Sequence, residues 1–265
     1  MKISFITTVR NEEPTILRLL QSIKAQFKQP HEVIIVDAGS TDRTVQLIKD
    51  FHKQSKLKIR LFHKRGNRAI GRNFAVTQAI GQGIVVSDAG CVLDKNWLKR
   101  ITTPLINQTA DVVAGFYHIK TSNLFSQCAA PFLGTMSANL NQNNFLPSSR
   151  SIAFTKKAWQ KVAGYPENLD FAEDLIFAQR LKDDSTINMI VVKNAIVEWT
   201  PPPNLSSFFT AIKYYTLGNV EAGYRRHLIK NYLVAIRYLL FAILLLTLSL
   251  IFAASLIPAY FIYIS

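Results

Sequence analysis

The chain has 265 residues, 49% of them hydrophobic, with two cysteines and a formal net charge of +14. That length suits one large domain or two small ones, and two cysteines exclude a disulfide framework or a zinc-ligand spacing. The basic residues are scattered, with no aromatic-interleaved basic motif, which argues against nucleic acid and for anionic headgroups or a phosphate-bearing small molecule. No segment points to a protein partner.

Taken in order, Lys2–Val9 is β-rich and suits a central strand. It ends at Arg10-Asn11-Glu12-Glu13-Pro14, where a proline and acids favour a helix start. Ile16, Leu17, Leu19, Leu20 and Ile23 then follow helical spacing. Glu32–Val36 is a second short strand, ending in Asp37-Ala38-Gly39-Ser40-Thr41-Asp42. A helix is predicted from about Thr41, with Val45, Leu47, Ile48 and Phe51 as its apolar face. Leu57–Phe62 is a third strand. This strand–helix alternation predicts an α/β fold with a mostly parallel sheet and right-handed crossovers.

Gly66–Val76 is a loop entering a helix, with Arg68 and Arg72 four apart on one face, able together to grip a diphosphate. Gly83-Ile84-Val85-Val86-Ser87-Asp88-Ala89-Gly90-Cys91 is a buried strand that ends in an acid followed by two residues with almost no side chain. Ligands of open α/β sheets bind at the carboxyl ends of strands, so Asp88 stands where a phosphate or metal ion needs a charge. Cys91 and Cys128 are both predicted to be small buried side chains.

Val92–Leu98 is predicted to begin a further helix, and Asp111–Tyr117 a further strand. Residues 121–147 are expected to form a flexible or partly helical insertion. Pro147–Phe154 is a strand led by small polar residues, and Trp159–Pro166 a helix. Glu173 and Asp174 fall in the first turn of a helix whose buried positions are predicted as Leu175, Ile176, Ala178 and Leu181. Such acids suit a helix start and equally a general base at the mouth of a pocket. Ile190–Val192 and Ala195–Trp199 are predicted to form a last hairpin.

Phe208–Tyr215 is aromatic and basic, a composition that suits a helix lying in a membrane interface. From Tyr238 to Ser265 no residue is charged, a run longer than the roughly 20 apolar residues a spanning helix needs. Arg225, Arg226, Lys230 and Arg237 precede it, as the positive-inside bias asks. With no signal peptide at the start, the expectation is a membrane protein whose soluble part lies on the cytoplasmic face.

Thr8-Val9-Arg10-Asn11-Glu12-Glu13, Asp37-Ala38-Gly39-Ser40-Thr41-Asp42, Gly71-Arg72-Asn73, Asp88-Ala89-Gly90 and Glu173-Asp174 follow one another at predicted strand ends and a helix start. In this order they resemble the family 2 glycosyltransferases of the GT-A fold, over residues 2–225. The resemblance implies a Rossmann-like, mostly parallel sheet flanked by helices: a catalytic domain over 1–204, an amphipathic membrane-proximal segment over 205–232 and a transmembrane segment over 233–265. It implies a nucleotide-diphosphate sugar as donor, a lipid-linked or cell-envelope glycan as acceptor, and transfer with inversion.

On the same resemblance, Thr8, Val9, Arg10 and Glu12 cradle the nucleotide, and Asp37 beside Ser40 meets the base. Arg68 and Arg72 approach the donor, and Asp88, Ala89 and Gly90 stand at the Asp-x-Asp motif. Asp174, with Glu173 beside it, supplies the base. The chain departs from the motif at Gly90, which replaces the second acid. Mg²⁺ commonly uses one or two carboxylates plus substrate phosphates, so Asp88 alone is the expected protein ligand of Mg²⁺ or Mn²⁺. A dinucleotide-binding oxidoreductase is excluded because no Gly-x-Gly-x-x-Gly follows the first strand. The competing reading is a membrane-anchored nucleotide-sugar-binding or scaffold protein with a degenerate site.

Overall fold

The computed structural model describes residues 1–134, 145–223 and 225–264, in two units, Met1–Gly218 and Asn219–Ser265. The first unit is built on an eight-stranded sheet of order β3-β2-β1-β4-β7-β6-β8-β5. Its strands are β1 (Ile3–Val9), β2 (Glu32–Asp37), β3 (Ile59–His63), β4 (Gly83–Val86), β5 (Cys91–Leu93), β6 (Val112–Ile119), β7 (Ile152–Thr155) and β8 (Met189–Trp199). The helices between them are α1 (Ile16–Lys24), α2 (Thr44–Lys53), α3 (Arg68–Gln78), α4 (Trp97–Ile106), α5 (Leu124–Leu133), α6 (Lys156–Lys161) and α7 (Glu173–Asp183). They are followed by α8 (Leu205–Glu221) and α9 (Arg225–Ile264).

The apolar runs of the first strands are continuous because both faces of the sheet are covered. Ile3, Phe5, Val33, Ile35 and Val85 point into one core with Leu19, Leu20 and Ile23 of α1 and Trp97 and Ile101 of α4. Ile6, Ile34, Val36, Ile84 and Val86 point into the other with Ala75 and Val76 of α3 and Phe177 and Leu181 of α7. The parallel half, β3-β2-β1-β4, puts Val9 beside Asp37 and Asp37 beside His63, so these three strands end abreast. Beyond β4 the sheet turns mixed: β7 is antiparallel to both β4 and β6, and β5 is antiparallel to β8.

Several expectations need correction. The last hairpin is one strand, β8, because both its halves pair with β6 in the same direction. The residues between Val191 and Ile196 are taken up by a register shift opposite Ala114 and Phe116, a bulge rather than a turn. Cys91–Leu93 is a strand, so the following helix starts only at Trp97. The helix placed at Trp159–Pro166 is α6, at Lys156–Lys161, capped by the Thr155 hydroxyl, which accepts from the Ala158 N–H. The helix begun at Thr41 starts at Thr44, after Asp42 has accepted from the Thr44 N–H at 3.0 Å. In α7, Phe177 is buried while Leu175 and Ile176 are only half-buried. Cys91 is buried, but Cys128 is exposed on α5. The insertion at 121–147 contains α5; its residues 135–144 lie outside the described residues.

In the second unit, α9 is a 40-residue helix, and Tyr238, Leu240, Leu244, Leu248 and Phe252 along it are exposed. Among the described residues no helix is long and apolar enough to cross a membrane, so the spanning helix expected over 233–265 is not met there. The side chains beyond Phe252 lie outside the described residues.

One buried polar cluster ties the amino-terminal edge of the sheet. The Glu32 carboxylate is 3% exposed; it accepts from the Ser4 hydroxyl at 2.6 Å, the Ile80 N–H at 2.7 Å and Arg60 Nη1 at 2.8 Å. Burial works against the charge, but these donors outweigh it and hold the carboxyl below its ordinary value of 4.5. A depressed carboxyl stabilises the fold above the unfolded-state value and loses that contribution as pH falls through the folded one. Denaturation midpoints of the native chain should therefore drop as pH falls below about 4.5. Glu32→Gln should flatten part of that fall; an unchanged acid profile would refute the assignment.

Candidate active site

The carboxyl ends of β1, β2 and β4 carry the loops that the sequence singles out. The first two loops are stitched together. Asn11 N–H donates to Ser40 Oγ at 2.9 Å, Glu12 N–H to Thr44 Oγ1 at 2.8 Å and Glu13 N–H to Asp42 Oδ2 at 3.1 Å. In return Thr41 N–H donates to Asn11 Oδ1 at 2.8 Å. Asn11 takes φ +55 to make this turn, a conformation Asn tolerates better than most side chains. Thr8 is half-buried, Val9 buried and Arg10 exposed. A Cβ on Gly71 would stand 2.7 Å from Thr8 Cγ2, so glycine there lets α3 press against the end of β1. Glu12 is half-buried and its carboxyl is pushed up by burial, against the hydrogen bond from Thr15.

Asp37 is 2% exposed, with its oxygens accepting from Gly39 N–H and Ser40 N–H, each at 3.1 Å. His63 Nδ1 lies 3.1 Å from its Oδ2. Burial opposes the charge, but these contacts hold the carboxyl below its usual range. It shapes the floor of a cavity of about 450 Å³ lined also by Gly39, Ser40, Val45, His63, Lys64 and Arg65.

Asp88 follows β4 and is joined to Glu173 through Arg72. The Arg72 guanidinium, 3% exposed, gives Nη2 to Asp88 Oδ1 at 2.9 Å and Nη1 to Glu173 Oε1 at 2.5 Å. It also lies over the Tyr165 ring, 5.4 Å from the centroid. Of the two arginines, Arg68 is exposed and Arg72 is buried between two acids. Burial opposes the Asp88 charge, yet Arg72, Arg150 and Arg68 together hold its carboxyl below the usual range. Burial pushes the Glu173 carboxyl up, Arg72 opposes this and Asp174 adds to it. Asp174 itself is half-buried, and its Oδ2 accepts from Ser149 N–H at 3.1 Å.

The residue before the acid pair, Ala172, has φ +58. That left-handed kink turns the chain into α7, and α8 braces it. A Cβ on Gly218 would stand 3.1 Å from the Ala172 Cβ, and the Phe171 and Tyr214 rings stack at 4.9 Å.

Three groups make contacts that the sequence did not announce. Asn67 caps α3 and donates to Glu167 O at 2.8 Å and Leu169 O at 2.9 Å. Asn73 accepts from Tyr165 N–H at 2.9 Å and Trp159 Nε1 at 3.0 Å. Together they fasten the loop that leads to Glu173. Arg150 sits between Ser149 and Ser151, its guanidinium 4.2 Å above the Trp199 ring and 5.3 Å from that of Tyr117. An N-cap asparagine is legible in sequence; the aromatic platform under Arg150 comes from distant strands and is not.

The protein's own donors for a divalent ion come down to Asp88. Among the described residues no three His, Cys, Asp or Glu side chains gather around one point. Asp88 offers one carboxylate whose Oδ1 is committed to Arg72, and the next position of the motif is Gly90. Glu198, on β8, pairs with Lys120 at 3.0 Å.

The family model for glycosyl transferase family 2 matches residues 4–160. Glycosyltransferase GlyG of Streptococcus pneumoniae is 27% identical over 118 residues, which are 44% of this chain and 39% of that protein. Poly(ribitol-phosphate) beta-N-acetylglucosaminyltransferase TarS of Staphylococcus aureus is 32% identical over 116 residues, 43% of this chain and 20% of that one. This chain thus spans about two-fifths or less of the length of these relatives. The crystal structure of TarS 1-349 in complex with UDP-GlcNAc has a TM-score of 0.60 at 21% identity, over 82% of this chain and 66% of that one. The mannosyltransferase PcManGT from Pyrobaculum calidifontis, in complex with GDP-Man and Mn²⁺, has a TM-score of 0.63 at 18% identity, over 83% and 64%. At those identities the likeness speaks for the fold.

Proposed function

This chain belongs to glycosyl transferase family 2, and from that premise we propose that it is an inverting glycosyltransferase. It moves a sugar from a nucleotide-diphosphate donor to a hydroxyl of a lipid-linked or cell-envelope glycan. The observation that carries the reading is the Arg72 bridge, which holds Asp88 and Glu173 on one guanidinium although they lie 16 and 101 residues from it. The strand end that carries Asp88 and the start of α7 are thereby joined through one side chain.

The roles follow from exposure. Glu173 is buried on Arg72 and cannot reach an acceptor; it is a positioning residue. Asp174 is half-buried, is steadied through one oxygen by Ser149 N–H, and has an Oδ1 without a hydrogen-bond partner among the described residues. That oxygen takes the proton from the acceptor hydroxyl. The hydroxyl oxygen attacks the anomeric carbon, and the bond to the diphosphate breaks on the opposite face, which inverts the centre. The loops after β1 and β2 hold the nucleotide, with the cavity floored by Asp37 as the base site. A nucleotide-sugar-binding protein with a degenerate site is the competing reading, favoured by the thin metal donor set.

The membrane belongs to the proposal too. The uncharged run from Tyr238 and the basic residues before it support a helix that tethers residues 1–204 at the cytoplasmic face, with 205–232 along the interface.

A thermal-shift screen of nucleoside diphosphate sugars on the full chain in detergent tests the donor. A true donor at a hundred times its Kd adds about 2.7 kcal/mol, a rise of roughly 5–10 °C for a domain of this size. No shift with any nucleotide sugar, and no transfer to envelope lipid extracts, would refute the reading.

A further inference from the structure

We propose that Arg150 is the cation that meets the donor diphosphate beside Gly90, so that this chain holds a nucleoside diphosphate without needing a divalent ion. The inference rests on the donor reading above and goes beyond it, since the resemblance at Asp88-Ala89-Gly90 implies a metal at that place and says nothing of Arg150.

Three observations place Arg150 there. The strand that follows the Asp88-Ala89-Gly90 turn is β5, whose first residue, Cys91, lies directly opposite Trp199. Arg150 stands on the Trp199 ring at 4.2 Å. Its charge acts on Asp88 and on Cys91, the residues on either side of Ala89-Gly90. On its other flank, Ser149 N–H holds Asp174. Arg150 thus lies between the strand end that carries Asp88 and the acid that faces the acceptor.

Its direct hydrogen-bond partners among the described residues include no carboxylate. A guanidinium carries five N–H donors. Among the described residues Arg150 gives one hydrogen bond, from Nη2 to the Tyr215 hydroxyl at 3.0 Å, and makes no ion pair. Arg72, the other arginine of the site, has both its terminal nitrogens on carboxylates. Arg150 is half-buried on an aromatic platform that fixes its plane, an arrangement suited to a planar, bidentate grip on phosphate oxygens. Space for a ligand lies at the Asp88-Ala89-Gly90 turn: a Cβ on Gly90 would meet nothing within 4 Å. The glycine at position 90 and the arginine at position 150 act in the same sense. One removes a negative charge that would demand a metal, and the other supplies positive charge directly to the leaving diphosphate.

The test is calorimetric binding of UDP and of GDP to the full chain in detergent micelles, with EDTA and with Mn²⁺. The native protein should bind one of them in EDTA within about threefold of its affinity in Mn²⁺. Arg150→Met should weaken binding in EDTA by about ten- to a hundredfold, the scale of a charged hydrogen bond, and Arg150→Lys should recover part of it. Gly90→Asp, which the open space accommodates, should make binding respond to Mn²⁺ by about tenfold or more, as an added carboxylate ligand does. Binding that needs Mn²⁺ in the native protein overturns the inference and leaves the donor reading standing. So does an Arg150→Met protein that binds like the native one in EDTA. If Arg150→Met does not fold, a Gly90→Asp protein indifferent to Mn²⁺ overturns it. If no nucleoside diphosphate, with ADP, CDP and dTDP tried beside these two, binds under either condition, the donor reading and the inference fall together.

Discussion

Asp174→Asn is expected to reduce kcat for sugar transfer by about a thousandfold, within the 10²–10⁴ that a positioned base contributes, with donor affinity unchanged within about twofold. The amide has the size of the carboxylate, and its oxygen can still accept from Ser149 N–H, the contact at 3.1 Å. The loop behind it, fastened by Asn67 and Asn73, is untouched. What disappears is the lone pair basic enough to take a proton. A loss divided equally between kcat and donor binding would mean that Asp174 holds the donor. A variant retaining more than about a tenth of the native kcat would place the base elsewhere. Nucleotide-sugar binding that persists in a protein that never transfers would favour the scaffold reading.

The largest effect on stability is expected at Arg72. Arg72→Leu leaves Glu173, with a side chain 5% exposed, as a buried acid without a partner, and sets Asp88 free. Breaking a buried pair from one side costs about 3–5 kcal/mol, against a total stability of roughly 5–15 kcal/mol for a domain. The loss should depend on pH in a definite direction. Burial already pushes the Glu173 carboxyl above its ordinary value of 4.5, with Arg72 pulling the other way. Removing the arginine raises it further. A group whose folded pKa is raised contributes stability below its unfolded value and loses it as pH climbs through the folded one. The denaturant midpoint of Arg72→Leu should therefore lie nearer the native one at pH 5 than at pH 8. The double variant Arg72→Leu/Glu173→Leu should regain part of the loss, since no charge is then buried alone. A pH-independent deficit would mean that lost packing against Tyr165 dominates.

The parallel half of the fold was legible because its cause is local. Ile3–Val9, Glu32–Asp37 and Gly83–Val86 are apolar on both faces, and helical spacing separates them. The second half was less so. Lys193 and Asn194 look like a turn between two short strands, yet the pairing of both halves with β6 decides otherwise, and only tertiary contacts reveal a bulge. Cys91–Leu93 is too short to have a period of its own. The site divides in the same manner. Asp88, Glu173 and Asp174 announce themselves by type and position. The burial of Arg72 depends on an acid 101 residues away, and the platform beneath Arg150 is supplied by Tyr117 and Trp199. Phe177 shares the buried face of α7 with Glu173, Ala178 and Leu181, and the acid on that face, buried by its pairing with Arg72, hid its register in the sequence.

The pairing of Cys91 with Trp199 also sets the order in which the site can come into being. Strands β1 to β4 lie side by side and have all left the ribosome soon after residue 86, so the parallel half can collapse early. β5 ends the strand order and is hydrogen-bonded to β8, so the turn bearing Asp88 stays open on one side until residue 199 has emerged. Such distant pairing is slow to form, and until it does the nascent chain carries a finished sheet core beside an unfinished catalytic edge.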